Sequence, residues 1–323
     1  MGFTCSKNCK HQSKEDIELN NIRMLAIKNT IEHDYAILFR LIRVQRKLKK
    51  YLEKQIEIKK QKDNYPKITK DELKDLLNSL PKKDDGIEIE TCFEKQYGID
   101  VKYYGELVKI TGQRHGRGIQ AWKSGKKYSG YFENDKANGT GKIIYENGDI
   151  YEGEMSNNEP NGNGTYIQKN GEKYEGLFKD GKKEGKGKEK YNDGSNYIGY
   201  FKGGVKEGKG EFLWGDGSKY IGEFKQDNIN GKGKYISADK REYNGEWLNN
   251  KFHGMGTFAW PDGRKYIGEY KNDLKDGYGI FENSDGRIYK GYWKEGKQNG
   301  DGEFFSPRNM KWKKGIWKDG KKQ

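Results

Sequence analysis

The chain is poor in what builds an ordinary globular domain. Only 32% of its 323 residues are hydrophobic, and its mean hydropathy is −1.19. That excludes one large aliphatic core. No apolar run is long enough to cross a bilayer as a helix. Cysteine is almost absent: Cys5, Cys9 and Cys92 are too few, and odd in number, for a secreted disulfide framework. No apolar leader segment opens the sequence, so it reads as intracellular. The four histidines (His11, His33, His115, His253) are scattered without ligand spacing, so no metal is expected. No Gly-Lys pair has phosphate-loop spacing. His, Ser and Asp form no recurring motif. Neither catalytic residues nor a cofactor are expected, and the chain does not read as an enzyme.

What is present is aromatic and periodic. There are 23 Tyr, 13 Phe and 7 Trp, which a disordered chain of this polarity would lack. The tripeptide Tyr-x-Gly recurs at Tyr128/Gly130, Tyr151/Gly153, Tyr174/Gly176, Tyr197/Gly199, Tyr220/Gly222, Tyr243/Gly245, Tyr266/Gly268 and Tyr289/Gly291, always 23 residues apart. A Gly-x-Gly series keeps the same step from Gly116/Gly118 to Gly300/Gly302. A fixed period in this range signals a repeat architecture.

Each unit reads as one β-hairpin. A short strand-like run follows the Gly-x-Gly, as in Lys142-Ile-Ile-Tyr145. Next comes a dipeptide such as Asn147-Gly148 or Asp216-Gly217, expected to take positive φ at both turn centres. Tyr-x-Gly then opens a second strand ending in aromatics, such as Tyr131-Phe132 or Tyr292-Trp293. Glycine lets backbones or rings approach closely. The sixth turn reads Asp239-Lys240, which predicts a looser hairpin. In the last unit Trp312 stands in for Tyr, with Gly315 one place late, as an atypical cap. His115 and His253 precede Gly-x-Gly at one repeat position and read as interchangeable loop residues.

These residues resemble the MORN repeat family (membrane occupation and recognition nexus), over roughly two-thirds of the chain and about nine units. The expected fold is mainly β: an elongated single-sheet array of stacked hairpins over 103–323, preceded by a long α-helix. The resemblance implies a non-enzymatic scaffold that organises membrane-associated cytoskeleton, junctions or cilia by binding protein partners. It also suggests a regulatory role for a phosphoinositide-modifying enzyme.

The segments ahead of the array carry separate signals. Residues 1–12 read as a flexible leader. Met1-Gly2 followed by Ser6 fits N-myristoylation of Gly2, with Cys5 and Cys9 placed for palmitoylation. Two acyl chains anchor stably where one does not. The leader therefore places the protein on the cytoplasmic face of a membrane: plasma membrane, cortical or ciliary. Residues 13–62 read as a basic amphipathic helix, free of Gly and Pro between Lys14 and Lys62. Within it Val44, Gln45, Lys49 and Lys54 are similar to a degenerate IQ motif. Calmodulin or a related EF-hand protein, an anionic lipid surface, and a coiled-coil or docking partner all suit it. Residues 63–102 read as a linker. In it Thr69-x-x-Glu72 caps a short helix with Leu73, Leu76, Leu77 and Leu80 on one face, and a strand over Ile87–Thr91 follows. This segment is expected to cap the first hairpin and cover the sheet edge.

The net charge of +14 suits anionic lipid or acidic proteins. Lys182, Lys183 and Lys186 are candidates for touching lipid headgroups, or are simply solvated. Nucleic acid is not an expected partner, because the aromatics follow the repeat period rather than forming a stacking platform. The array is also compatible with a homodimer.

Overall fold

The computed structural model describes residues 65–323 and, ahead of them, only Lys47, Lys49 and Lys50, which are helical and exposed. The chain divides into two units, Met1–Asn64 and Tyr65–Gln323. Gly2, Cys5, Cys9, Val44, Gln45 and Lys54 lie outside the described residues.

The second unit is one antiparallel meander. Helix α1 (Lys70–Ser79) is followed by 21 strands, from β1 (Ile89–Tyr97) and β2 (Val101–Val108) to β20 (Lys311–Lys318) and β21 (Lys321–Lys322). Each strand pairs with its successor, as in β1 with β2 and β20 with β21. Strands of seven and nine residues alternate through most of the array, as in β4 (Lys127–Glu133) and β5 (Lys136–Ile144).

Two kinds of turn alternate, and their chemistry differs from the sequence expectation. Asn147-Gly148 lies in a three-residue loop. There the Tyr145 N–H reaches the Asp149 carbonyl (2.8 Å), the Gly148 N–H reaches the Tyr145 carbonyl (3.0 Å), and only Gly148 has positive φ. This is a type I turn closed by a left-handed residue. Positive φ at both centres occurs instead at the two-residue turns joining units: Asn134-Asp135 (50° and 65°), Asn157-Asn158 and Asn249-Asn250. Asn and Asp tolerate that region best among non-glycine residues. They also act as clamps. Asp135 Oδ1 accepts the Arg114 N–H (2.8 Å), and Asn250 Oδ1 accepts the Ile229 N–H (2.7 Å), each tying a turn to the preceding unit.

The turn at Asp239-Lys240 is not looser. It makes the same bonds, Ser237 N–H to Arg241 O and Lys240 N–H to Ser237 O, both 2.9 Å. Lys240 takes φ 68° in place of glycine, and the Ser237 hydroxyl adds bonds to Asp239 and to the Arg241 carbonyl (3.1 Å).

The two glycines of Gly-x-Gly do different things. Gly139, at φ 93°, lies in a bulge between the Gly130–Gly141 and Phe132–Ala137 pairs. Gly141 lies beneath the ring of Tyr128.

The glycines of Tyr-x-Gly serve neither a turn nor a bulge. Gly153, Gly176, Gly199, Gly222, Gly245, Gly268 and Gly291 all stay out of the left-handed region. Each faces the second glycine of the next Gly-x-Gly across the ladder: Gly153 with Gly164, Gly199 with Gly210, Gly222 with Gly233, Gly245 with Gly256, Gly268 with Gly279 and Gly291 with Gly302. A β-carbon on Gly153 would run into the Gly164 backbone, and one on Gly245, Gly268 or Gly291 would lie 2.5–2.7 Å from the facing Cα. Space, not backbone conformation, is what these positions require.

The repeated tyrosines line one face as a buried column: Tyr128, Tyr151, Tyr174, Tyr197, Tyr220, Tyr243, Tyr266 and Tyr289 are at most 2% exposed. Each hydroxyl donates to the carbonyl three residues on, as Tyr128 to Tyr131 O (2.8 Å) and Tyr151 to Glu154 O (2.6 Å). A second aromatic wedges between successive tyrosines. Phe201 meets Tyr174 and Tyr197 edge-on at 5.0 and 5.2 Å, and Trp247 meets Tyr220 and Tyr243 at 5.3 and 5.1 Å. Met155 holds that position in the second full unit. Edge-to-face rings add to the burial energy.

Trp312 does not take the tyrosine position. Gly315 pairs with Gly302, which puts Lys313 opposite Phe304 and Trp312 opposite Phe305. One extra residue before Trp312 moves it to the other face, where it is 42% exposed. The column ends instead on Trp317, 4.9 Å from Tyr289.

Candidate functional site

Side chains alternate across a strand, so residues flanking the Tyr-x-Gly and Gly-x-Gly glycines project from the face opposite the tyrosines. This outer face has an occupied end and an open stretch.

The occupied end carries α1. The Thr69 hydroxyl accepts the Glu72 N–H (3.0 Å) and starts the helix. Leu73 is buried against Tyr104, Ile119 and Ala121, with Ile68, Leu76 and Leu77 beside it. The helix covers the sheet's face and not its edge, which is formed by β1. At the helix C-terminus the Arg117 guanidinium donates to the carbonyls of Leu77 and Leu80 (3.0 Å to Leu80), where a cation suits the helix dipole. The Tyr131 hydroxyl donates to the Pro81 carbonyl (2.7 Å). Buried Glu106 fixes Arg117 through the guanidinium (2.6 and 3.1 Å) and the backbone N–H (2.6 Å), and its hydrogen bond raises the Arg117 pKa further. The Lys127–Glu72 pair ties the first turn of α1 to β4.

Among the described residues, no helix covers the outer face beyond α1. Ile198, Tyr200, Ile221, Met255, Ile267, Tyr278, Tyr292 and Ile316 are all at least 39% exposed. Ion pairs such as Lys219–Glu211 (2.7 Å) and Lys234–Glu242 (2.8 Å) separate the apolar groups.

On the tyrosine face, burial pushes the phenols up, Tyr289 to about 12 and the others further, so they act as neutral donors. Lys183 is not available to headgroups. It pairs with buried Glu189 and lies over the Tyr174 ring. Burial pushes the Cys92 thiol up, which disfavours its reactive thiolate.

The two repeat-equivalent histidines lie in strands, not loops, and are not interchangeable. His115 pairs with Asp85 (2.7 Å) and holds that carboxyl below its usual range. Buried His253 Nδ1 has no hydrogen-bond partner. Among the described residues, no three His, Cys, Asp or Glu side chains are grouped to hold a metal, and no helix is long and apolar enough to cross a membrane.

The periodic tyrosines and their glycines, Gly153, Gly245, Gly268 and Gly291 among them, build the sheet rather than a site. Of the groups that grip α1, Glu106 and Arg117 escaped the sequence reading and Tyr131 was read only as a strand-ending aromatic, because all three sit at variable positions beside the glycines. Their only signal was the paired apolar face of Leu73, Leu76 and Leu77.

A single-layer hairpin array with a covered end defines a solenoid-like repeat protein. The MORN repeat family profile matches residues 112–127, 128–150, 151–173, 174–196, 197–219, 220–240, 243–263, 266–286 and 289–310, and the chain belongs to that family. Among solved structures, the chain is similar to the SAS-4 (dCPAP) TCP domain of Drosophila melanogaster in complex with a proline-rich motif of Ana2. Identity is 15%, covering 56% of this chain and 86% of that one, with a TM-score of 0.25. It is also similar to a mutant of the TCP10 domain of Danio rerio CPAP, at 12% identity over 63% and 93% of the two chains, with a TM-score of 0.23. At such scores the likeness carries no functional argument. No curated protein matches the chain.

Proposed function

We propose that this protein is a non-enzymatic scaffold, held at the cytoplasmic face of a membrane by acylation of Gly2 with Cys5 and Cys9, that displays its array to protein partners of a membrane-associated cytoskeletal or ciliary structure. The observation that carries the display reading is on the outer face. One end is gripped by a helix of the chain itself, while later units present exposed Ile and Tyr side chains at the same repeat positions. Exposed apolar groups repeated along one face, with charged pairs between them, suit an extended protein-binding surface.

The test is fractionation of the full chain expressed in eukaryotic cells, with in-cell cross-linking. Wild type sediments with membranes and forms discrete cross-linked species, and Gly2→Ala moves it to the soluble fraction. A free Gly2 amine by mass spectrometry refutes the anchor. Absence of any cross-linked partner refutes the scaffold.

A further inference from the structure

The tyrosine face repeats a cup, and in one unit the cup lacks its plug. Arg114, Lys183, Lys206, Phe252 and Lys275 each stand two residues ahead of a Gly-x-Gly. All five lie on rings of the buried column. The guanidinium of Arg114 is 5.4 Å from the Phe132 ring. The ammonium groups of Lys183, Lys206 and Lys275 are 5.1, 5.3 and 4.8 Å from Tyr174, Tyr197 and Tyr266. Phe252 stacks flat on Tyr243 at 3.9 Å, walled by Phe258 and Tyr270 at 6.0 and 5.8 Å.

In the unit of Tyr128 the plug position holds only Ala137. The walls are slimmer too: Ile143 stands at the repeat position of Phe258, and Met155 at that of Tyr270. A cavity of about 270 Å³ remains, bounded by Tyr128, Ala137, Ile143 and Met155 on its apolar side and by Trp122 and polar groups on the other.

Those polar groups are all donors or cations. Gln120 is only 8% exposed. Its Oε1 accepts the Arg114 guanidinium at 2.5 Å, and its amide nitrogen has no partner among the described residues. Of the two cations at the cavity, Arg114 is paired with Asp135 (3.2 Å). Half-buried Lys126 lies over Trp122 (4.9 Å) and Tyr145 (5.6 Å) and has no ion-pair partner among the described residues. No acidic side chain lines the cavity. Asp149, at the place of Lys126 one unit on, is held by the Tyr166 hydroxyl (2.5 Å) and the Lys169 N–H (2.8 Å). A cationic occupant would meet like charge here, whereas an anion would complete Lys126.

We propose that the cavity between Trp122, Tyr128 and Ala137 binds a small planar aromatic carboxylate. The ring takes the plug position over Ala137, as the Phe252 ring does on Tyr243. The carboxylate accepts hydrogen bonds from the Lys126 ammonium and the Gln120 amide, charge-assisted in the first case. An apolar cup with a few convergent polar groups is the usual form of a small-molecule site. This binding site lies on the opposite face from the one offered to protein partners and does not depend on the scaffold reading.

The probe is phenylacetate, titrated into the full chain by calorimetry and by saturation-transfer NMR, with phenylacetamide and phenethylamine as its neutral and cationic counterparts. Phenylacetate is expected to bind saturably with a Kd on the order of 1 mM, as befits so small a ligand, and at least fivefold more tightly than either counterpart. Ala137→Phe supplies the missing plug and abolishes binding, while its melting temperature reports intact folding. Lys126→Gln, a half-buried side chain without an ion pair, keeps the fold. It weakens phenylacetate at least fivefold and leaves phenylacetamide unchanged. No saturable binding to wild type, equal binding of the three probes, or binding that survives Ala137→Phe in a folded protein overturns the proposal. A peptide ending in phenylalanine that binds more tightly than phenylacetate reassigns the cup to a chain terminus and overturns the small-molecule reading.

Discussion

The ring of Tyr174 fills the space that a β-carbon on Gly187 would need: that atom would lie 2.5 Å from the ring edge. Gly187 pairs across the strands with Gly176, and the Tyr174 hydroxyl passes over both to reach the Leu177 carbonyl at 2.9 Å. The same geometry recurs in every full unit, so it sets how closely the tyrosine column can lie on the sheet.

Gly187→Ala is therefore expected to displace the Tyr174 ring and destabilise the pairing of strands 173–179 and 182–190 by about 1–3 kcal/mol, the range for overpacking. Gly181, with φ 74° and nothing within 4 Å of an added β-carbon, isolates the conformational term. Gly181→Ala costs about 1 kcal/mol through φ alone. Amide hydrogen exchange across β8 (Lys173–Lys179) and β9 (Lys182–Lys190) separates the two local costs, which a global melt of a repeat array averages. Equal losses at both sites would show that the ring contact does not govern.

At the sixth turn, Lys240 stands in the left-handed region without help from glycine. Lys240→Gly is expected to stabilise the array by about 0.5–1 kcal/mol by relieving that conformation. Urea midpoints of the two proteins give the comparison, and an unchanged or lower midpoint contradicts it.

Glu189 is a buried hub. Burial pushes its carboxyl up, but hydrogen bonds from Lys183 and Tyr191, and the charges of Lys183 and Lys206, outweigh burial and hold it below the usual range. As pH falls, the unfolded chain takes up this proton first. The contribution of Glu189 is thus complete above the ordinary carboxylate pKa and is lost as pH drops through the depressed folded value. Glu189→Gln is expected to cost about 3 kcal/mol at pH 7 by leaving Lys183 without its carboxylate and Lys206 with Asp227 alone. The gap from wild type should narrow as pH falls below the ordinary carboxylate range, read from urea midpoints at each pH.

Lys275 behaves in the opposite sense. Burial and then the nearby Arg264 charge push its ammonium down to about 8. The rings of Trp260, Tyr266, Phe281 and Trp293, 4.4–5.4 Å away, return part of the lost solvation. The folded state sheds this proton before the unfolded state does, so the penalty is full below pH 8 and disappears as pH rises toward the ordinary lysine value. Lys275→Met is expected to raise stability by about 1–2 kcal/mol at pH 7, with the advantage shrinking between pH 8 and 10. A constant advantage across that range would show that protonation of Lys275 is not involved.

Much of the array was legible because each of its rules is local. The 23-residue step, the Tyr-x-Gly and Gly-x-Gly positions and the Thr69 cap all rest on contacts within a unit or between adjacent ones. The inter-unit turns were less legible because their chemistry tolerates several spellings. Asn134-Asp135, Gly203-Gly204 and Gln226-Asp227 share one conformation but no motif. Trp312 was misplaced because one extra loop residue inverts the face of everything after it, and residue type cannot report that.

The sequence alone determined a column of buried tyrosines over glycines, in fixed register, on one face of a long sheet. A period of 23 combined with the two-residue alternation of a strand leaves little freedom there. Only the tertiary structure decided what the other face does. Arg117 reaches back to Leu77, and Tyr131 to Pro81, across 40 and 50 residues of chain. Such contacts depend on the shape and charge of two distant surfaces, which no local pattern encodes. Among the described residues they separate a covered first end of the outer face from a remainder whose Ile and Tyr side chains stay exposed.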